Sequence, residues 1–465
     1  MLYIRDFCYI SYKTVPVNNI QLIFQVIAGV IFLFFLWVSV VSVREGEKRA
    51  AIISLVAGVA GGGILFCVAL LPYPVIHYMT AGILFVLFLL FIVPPRVRKD
   101  LPDAVPSGRI DERDVMFSRR LLEPGTSRYE AYYARRPENK AADDRFRKKP
   151  GLLDRHAALY DPVTFPAADA FFQAVEELAT GIDGPVASEK VPVPAAAMTR
   201  FLKNWAGRLG AVSSGVTLMQ PYHYYHTGGR DYNYGEPIVP AHRFGFVFTV
   251  EMDREMINTG PLGPAVMESA HQYLEAGKIA VVLAGYLRQL GYEARAHIDA
   301  HYHVVCPLVA RDAGLGEIGR MGLLMTPRLG PRVRIGVVTT NLELVPDARK
   351  ADPSMTDFCL RCKKCALNCP VQAIPAGAPR EIDGVTRWQI NQEACYTYWT
   401  TVGTDCGRCV AVCPYSHPDN AFHRLVRWGI RHSRLINRLA LPLDELFYGK
   451  RPARGKVPGW LMLEA

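Results

Sequence analysis

Cys359-Leu-Arg-Cys362-Lys-Lys-Cys365-Ala-Leu-Asn-Cys369-Pro370 and, further on, Cys406-Gly-Arg-Cys409-Val-Ala-Val-Cys413-Pro414 hold seven of the chain's eleven cysteines. The first run has bacterial ferredoxin spacing: three thiolates on tight turns hold one 4Fe-4S cubane, and the fourth, ahead of proline, reaches to a second. The second run lacks its first cysteine, and Cys395, upstream across a loop, can replace it. Crossed assignment gives cluster one Cys359, Cys362, Cys365 and Cys413, and cluster two Cys369, Cys395, Cys406 and Cys409. All eight thiols are then used. A structural zinc site needs four ligands in Cys-x2-Cys pairs and gives no reason for two Cys-Pro endings. Two adjacent cubanes form a short wire, so this segment predicts an electron-transfer protein or a redox enzyme. Cys8, Cys67 and Cys306 stand alone. That distribution is no disulfide framework and points to a reducing compartment.

Upstream, no residue is charged from Ile20 to Val43, from Ala51 to Leu71 or from Val75 to Val93. At 1.5 Å per residue each stretch crosses or nearly crosses a hydrocarbon layer of ~30 Å. A signal peptide would not be followed by two more spans. Three transmembrane helices are therefore expected. Arg44-Glu-Gly-Glu-Lys48-Arg49 and Arg96-Val-Arg98-Lys99 are basic, whereas Pro72-Tyr-Pro74 is not, so both basic segments belong on the inner face. The expected localisation is a multi-pass protein of the inner membrane, with everything beyond Pro95 facing the cytoplasm. No twin-arginine pair precedes the first span, so export of a cofactor-loaded domain is not expected.

At 465 residues, half of them apolar, the chain is long enough for several domains. Its formal charge of +10 is spread among acids rather than gathered in a tail, so no nucleic-acid partner is expected. The predicted organisation is a membrane anchor (1–98), an extended wrapping linker with short helices (99–194), an α/β core (195–352), a ferredoxin-like domain (353–420) and a C-terminal wrapping segment (421–465), in an α+β chain. Periodicity predicts helices over Ala197 to Leu209 and Met267 to Leu290, and strands over Arg243 to Met252 and Arg332 to Thr339. Arg424, Arg427, Arg431, Arg434 and Arg438 recur at helical spacing, which predicts one basic face, either solvated or against anionic lipid.

Ala313-Gly-Leu-Gly-Glu317-Ile-Gly-Arg320-Met-Gly, Gly330-Pro-Arg-Val-Arg334 and Thr339-Thr-Asn-Leu-Glu-Leu, then Phe358-Cys359, resemble the corrinoid-dependent reductive dehalogenases. So do Tyr129-Glu-Ala-Tyr-Tyr133, Arg136-Pro-Glu138, Lys149-Pro-Gly-Leu, Leu446-Phe-Tyr-Gly-Lys450 and Trp460. The resemblance implies a nitroreductase-like α/β core binding base-off cobalamin, a halogenated organic substrate, and a ferredoxin, flavoprotein or quinol as electron donor. It makes Gly314, Gly316, Glu317, Gly319 and Tyr302 candidate cofactor contacts. It also makes Tyr273, ahead of Leu283-Ala-Gly-Tyr-Leu-Arg288, the proton donor. Arg334 or Arg320 is the expected cation beside it, lowering a phenol pKa from ~10. Asp299, His301, Tyr302 and His303 are further candidates for the pocket wall.

Residue by residue, blander readings stand beside these. Gly314-Leu-Gly316-Glu-Ile-Gly319 also fits a dinucleotide fingerprint, but no acid follows at the required distance. Asp299-Ala-His301 falls short of a cobalamin histidine motif because position 304 is Val. Tyr273 alone reads as an ordinary helix-face tyrosine. Two other functions compete: an epoxyqueuosine reductase, which Asp299 favours and the spans and Glu317 disfavour, and a membrane-bound two-cluster electron-transfer subunit, which predicts no corrinoid.

Overall fold

The computed structural model describes residues 19–95, 105–349, 351–382 and 384–463. Cys8 and the basic segment Arg96 to Lys99 lie outside them. The chain divides into two compact units, Met1–Pro94 with His432–Lys450, and Pro95–Arg431 with Arg451–Ala465.

The first unit holds helices α1 (Asn19–Arg44), α2 (Lys48–Leu70) and α3 (Pro74–Ile92), each long and apolar enough to cross a membrane. Small residues let the first two backbones approach: a Cβ on Gly62 would stand 3.1 Å from Ala28 O. Most other apolar side chains point outward, Leu33, Ile64 and Phe88 among them. A fourth helix, Arg434–Tyr448, completes the unit by packing on α2 and α3. The five arginines expected on one face do not share a helix. One helix ends at His432, and Ser433 caps the next by accepting from Ile436 N–H at 3.3 Å.

The second unit begins with α4 (Met116–Arg120), α5 (Ser127–Arg135), α6 (Pro137–Arg147), α7 (Thr164–Glu177) and α8 (Ala195–Arg208). Its centre is an antiparallel sheet, in spatial order β1 (Ser213–Leu218), β2 (Phe244–Glu251), β6 (Val333–Thr340), β3 (Ala294–His297). The long helix α10 (Gly263–Gln289), preceded by α9 (Arg254–Asn258), covers one face. There Phe244, Phe246, Phe248 and Val338 meet Ile279, Leu283 and Leu287 from α10 and Leu202 from α8. Burying a side chain of this size contributes about 1.5–3 kcal/mol. The opposite face, Val247 and Val337, packs on α11 (Cys306–Asp312) through Val309 and Ala310. The sheet thus lies between helical layers, as its residues alternating between two apolar cores require.

The remaining elements carry the cysteines. After the β4 (Glu317–Ile318) and β5 (Leu324–Met325) hairpin come α12 (Pro353–Cys362), α13 (Lys364–Leu367), the β7 (Arg380–Ile382) and β8 (Val385–Arg387) hairpin, α14 (Gln392–Val402) and α15 (Arg408–Ala411).

Candidate active site

The thiols are aimed by left-handed backbone. Lys363 (φ 56°) turns the chain between Cys362 and Cys365, and Cys406 and Gly407 (both φ 62°) do so before Cys409. The charges that each thiol feels sort the eight into two groups. Cys413 has Cys362, Cys359 and Cys365 as neighbours, and Cys406 has Cys395 and Cys369. Cys409 faces Cys406, Cys395 and Cys369, and also Cys365, which places it where the groups adjoin. Burial pushes Cys395 up to about 11 and Cys365 and Cys406 up to about 12. Closely grouped, partly buried thiols are unfavourable as anions unless positive charge is supplied, which is the role iron fills in a cluster.

One protein cation is already there. Arg320, 1% exposed, donates to Cys359 O (2.9 and 3.1 Å), Leu360 O (3.3 Å), Pro375 O (2.6 Å) and Gly377 O (2.7 Å), and its guanidinium lies 4.8 Å from the Trp388 ring centroid. Carbonyls satisfy its donors without neutralising it. Burial lowers its pKa, and Cys365, Cys359 and Cys362 raise it. Arg320 is therefore a brace of the first cysteine turn, not the partner of Tyr273. A second brace comes from the aromatic segment near the start of the unit: Arg119, buried against Asp143, reaches Glu393 on α14 at 2.9 Å, two residues before Cys395.

Tyr273 stands on α10 one turn after Ser269, and Arg334 on β6 reaches over it, its guanidinium carbon 4.4 Å from the ring centroid. Arg334 is held in place from the other side by Asp405 Oδ2 at 3.1 Å and by the Ser269 hydroxyl, which itself donates to the same Asp405 oxygen. Asp405 immediately precedes Cys406. Tyr302, Asp299 and Cys306 complete the group electrostatically. Arg334 pulls the Tyr273 pKa down as expected, but burial acts more strongly, and the net result is a phenol pushed up to about 12. Burial likewise raises the Asp299 carboxyl, against Arg230 and Arg334. His301 is engaged elsewhere, with Glu176 at 3.0 Å and stacked on Tyr232 at 4.8 Å. His303 stands near His297, and burial lowers it to about 4.

The glycine-rich signature forms a tight loop around the β4–β5 hairpin. A Cβ on Gly316 would stand 2.2 Å from Met325 O, and one on Gly319 would stand 2.6 Å from Met325 Cγ and 3.8 Å from the Cys359 sulfur; Gly314 has φ +79°. The Glu317 carboxylate accepts from Arg349 (3.0 Å) and from Asp352 N–H (2.9 Å), tying the loop to the start of α12. Glu317, Ile318, Gly319 and Gly322 border a cavity of about 1270 Å³, open mouth included, whose wall is mostly apolar and also carries Pro307, Leu308, Trp388, Gln389, Ile390 and Gln392. The loop after β3 thus serves two places, with Tyr302 and Cys306 beside Tyr273, and Val305 and Pro307 on the cavity.

The model of the 4Fe-4S dicluster domain matches residues 358–417. A tetrachloroethene reductive dehalogenase of Sulfurospirillum multivorans is 37% identical over 211 residues, which take in 43% of this chain and 41% of that one. The chain is thus similar to reductive dehalogenases in sequence over less than half of its length and in fold over most of it. The catabolic reductive dehalogenase NpRdhA, solved in complex with 3-bromo-4-hydroxybenzoic acid, superposes with a TM-score of 0.61 at 22% identity over 79% of this chain and 51% of its own, so the fold is shared. A further reductive dehalogenase structure, described in terms of B12-dependent dehalogenation, gives 0.62 at 22% identity over 78% and 50%. The matches span about half or less of those relatives' length.

Ser269 and Asp405, which hold Arg334 over the Tyr273 ring, are the residues that sequence reasoning missed. Asp405 had one visible signal, its place beside a cluster cysteine. Ser269 had its spacing of four from Tyr273, which puts both on one helical face.

Proposed function

We propose that the chain is a membrane-held reductive dehalogenase that replaces a halogen on an organic substrate with hydrogen, using two 4Fe-4S clusters and cobalamin. What carries this reading is the Tyr273–Arg334 pair lying in the same unit as two four-thiol groups. Cys359, Cys362, Cys365 and Cys413 would hold cluster one, and Cys369, Cys395, Cys406 and Cys409 cluster two. The corrinoid, base-off, would occupy the cavity beside Glu317 to Gly322, where an apolar wall suits a macrocycle and Gln389 and Gln392 suit its amide arms. When bound, it supplies the low-valent cobalt chemistry that breaks a carbon–halogen bond.

The chain's own residues handle the proton. Overall, the organohalide takes up two electrons and one proton and releases halide. Tyr273, kept protonated by burial, gives its proton to the carbon that loses the halogen. Arg334 stabilises the phenolate left behind, and Ser269 and Asp405 keep the guanidinium in register. Asp299 and Tyr302 shape the space before Tyr273. The four-stranded sheet with α8 and α10 is read as the nitroreductase-like core. Helices α1 to α3 hold it at the inner membrane facing the cytoplasm, where a ferredoxin, flavoprotein or quinol supplies electrons.

Halide release from brominated phenols tests the assignment. Tyr273→Phe should slow turnover by about 100-fold or more, the usual weight of a general acid, with iron content unchanged. Equal rates for the two proteins would remove Tyr273 from its role.

A further inference from the structure

The helix Arg434–Tyr448 is amphipathic in the opposite sense to a helix that faces water. It crosses the end of its own unit where α2 begins and α3 ends. Arg434 N–H donates to Val93 O at 2.7 Å, and at the far end a Cβ on Gly449 would stand 3.4 Å from the Arg49 guanidinium. The face turned to α2 and α3 carries Asn437, Ala440 and Asp444, all buried. Leu439, Leu443 and Leu446 point the other way, 42%, 43% and 49% exposed, with Pro442 exposed among them. At 3.6 residues per turn the two sets fall on opposite sides of the cylinder. Water is a poor neighbour for such a stripe.

The surroundings say what covers it. The outward apolar surface of α3 runs through Leu89, Leu90 and Ile92 to the point where this helix crosses, and that of α2 starts at Ile52. The leucine stripe continues that surface. Arg438 is exposed at its edge, Arg434 lies one turn before, and Arg44, Lys48 and Arg49 stand at the same end of the bundle, the order in which an interfacial helix presents apolar and basic groups to lipid.

We infer that Arg434–Tyr448 is an in-plane interfacial helix, its Leu439, Leu443 and Leu446 face sunk in the acyl boundary of the bilayer and Arg438 among anionic phosphate headgroups. This rests on reading α1 to α3 as membrane spans. It gives the chain a second membrane attachment: the soluble unit, entered from α3, is left at Arg431 for this helix and resumed at Arg451.

The full chain, reconstituted in vesicles of phosphatidylcholine and phosphatidylglycerol, tests it. A photoreactive diazirine amino acid is placed in turn at Leu443, at Val86 on the outer face of α3, and at Val239, 72% exposed in the other unit. Lipid adducts are read by mass. Position 443 should label like position 86 and about tenfold above position 239, as expected for a side chain in the interface. Labelling at 86 with 443 no higher than 239 overturns the inference while leaving the spans in place. Absence of adducts at 86 removes the spans and the inference together. Crosslinks from 443 to a second protein copy in place of lipid also overturn it.

Discussion

Two arginines serve two regions of the second unit in opposite ways. Arg320, beside the first cysteine group, is held by backbone carbonyls, none of which carries an opposing charge. Arg334, over Tyr273, is paired with the Asp405 carboxylate, which offsets its charge. The first arrangement suits a place where several thiolates must be offset. The second suits a place where a cation must steady a phenolate only after a proton has left, without drawing the proton off beforehand. Burial then decides the resting state, and the Tyr273 phenol stays neutral.

The comparison is broken most severely at the thiols. Cys413→Ser should cost cluster one and Cys406→Ser cluster two, each with about half the iron, counted chemically and by EPR after reduction, because each quartet needs all four sulfurs. If Cys413→Ser instead removed the signal of the cluster bound by Cys369, the crossed assignment would be wrong. Next comes Arg320→Met. Removing it leaves buried carbonyl acceptors unsatisfied and the cluster charge less offset, so stability should fall by about 3–5 kcal/mol in thermal unfolding and cluster one should become harder to reduce. Arg334→Lys should be milder for folding, with Tm little changed, but lower kcat by about tenfold or more, since one ammonium cannot both bridge Ser269 and Asp405 and cover the ring.

The smallest expected effect is on the alkaline limb of the pH profile. The neutral phenol is the form that burial favours, so Tyr273 should ionise only as pH nears 12, and kcat should show no loss assignable to it below about pH 11. A basic limb near pH 9 that disappears in Tyr273→Phe would contradict this. The sign for stability follows: unfolded tyrosine ionises near 10, so the folded state loses its advantage at this residue as pH rises from there.

What the sequence makes legible follows the range of the physics involved. Ligand spacing is local chemistry, so the two thiol quartets can be written down from Cys359 to Cys413 without a fold. Uncharged runs are equally local, and α1 to α3 start and stop within a few residues of the expected bounds. Strong alternation marks β2, and β6 is a run of β-branched residues. β1, Ser-Ser-Gly-Val-Thr-Leu, and the four-residue β3 owe their existence to pairing with those strands and carry little signal alone. The choice between Arg320 and Arg334, 39 and 25 residues before Cys359, needed the path of the chain, because sequence distance says nothing of which one returns to Tyr273. The arginine spacing of 424 to 438 misled because Ser433, a residue with N-cap chemistry, interrupts a periodicity that otherwise runs on.

The central claim is that the cysteine wire serves a corrinoid held beside it. Anaerobic reconstitution of the full chain with iron, sulfide and cobalamin, followed by metal analysis and EPR, tests it most directly. The account predicts about eight iron atoms and one tightly retained cobalt per chain, with halide released from a brominated phenol once a reductant is added. Cluster signals without stoichiometric cobalt would contradict it and leave an electron-transfer protein in its place.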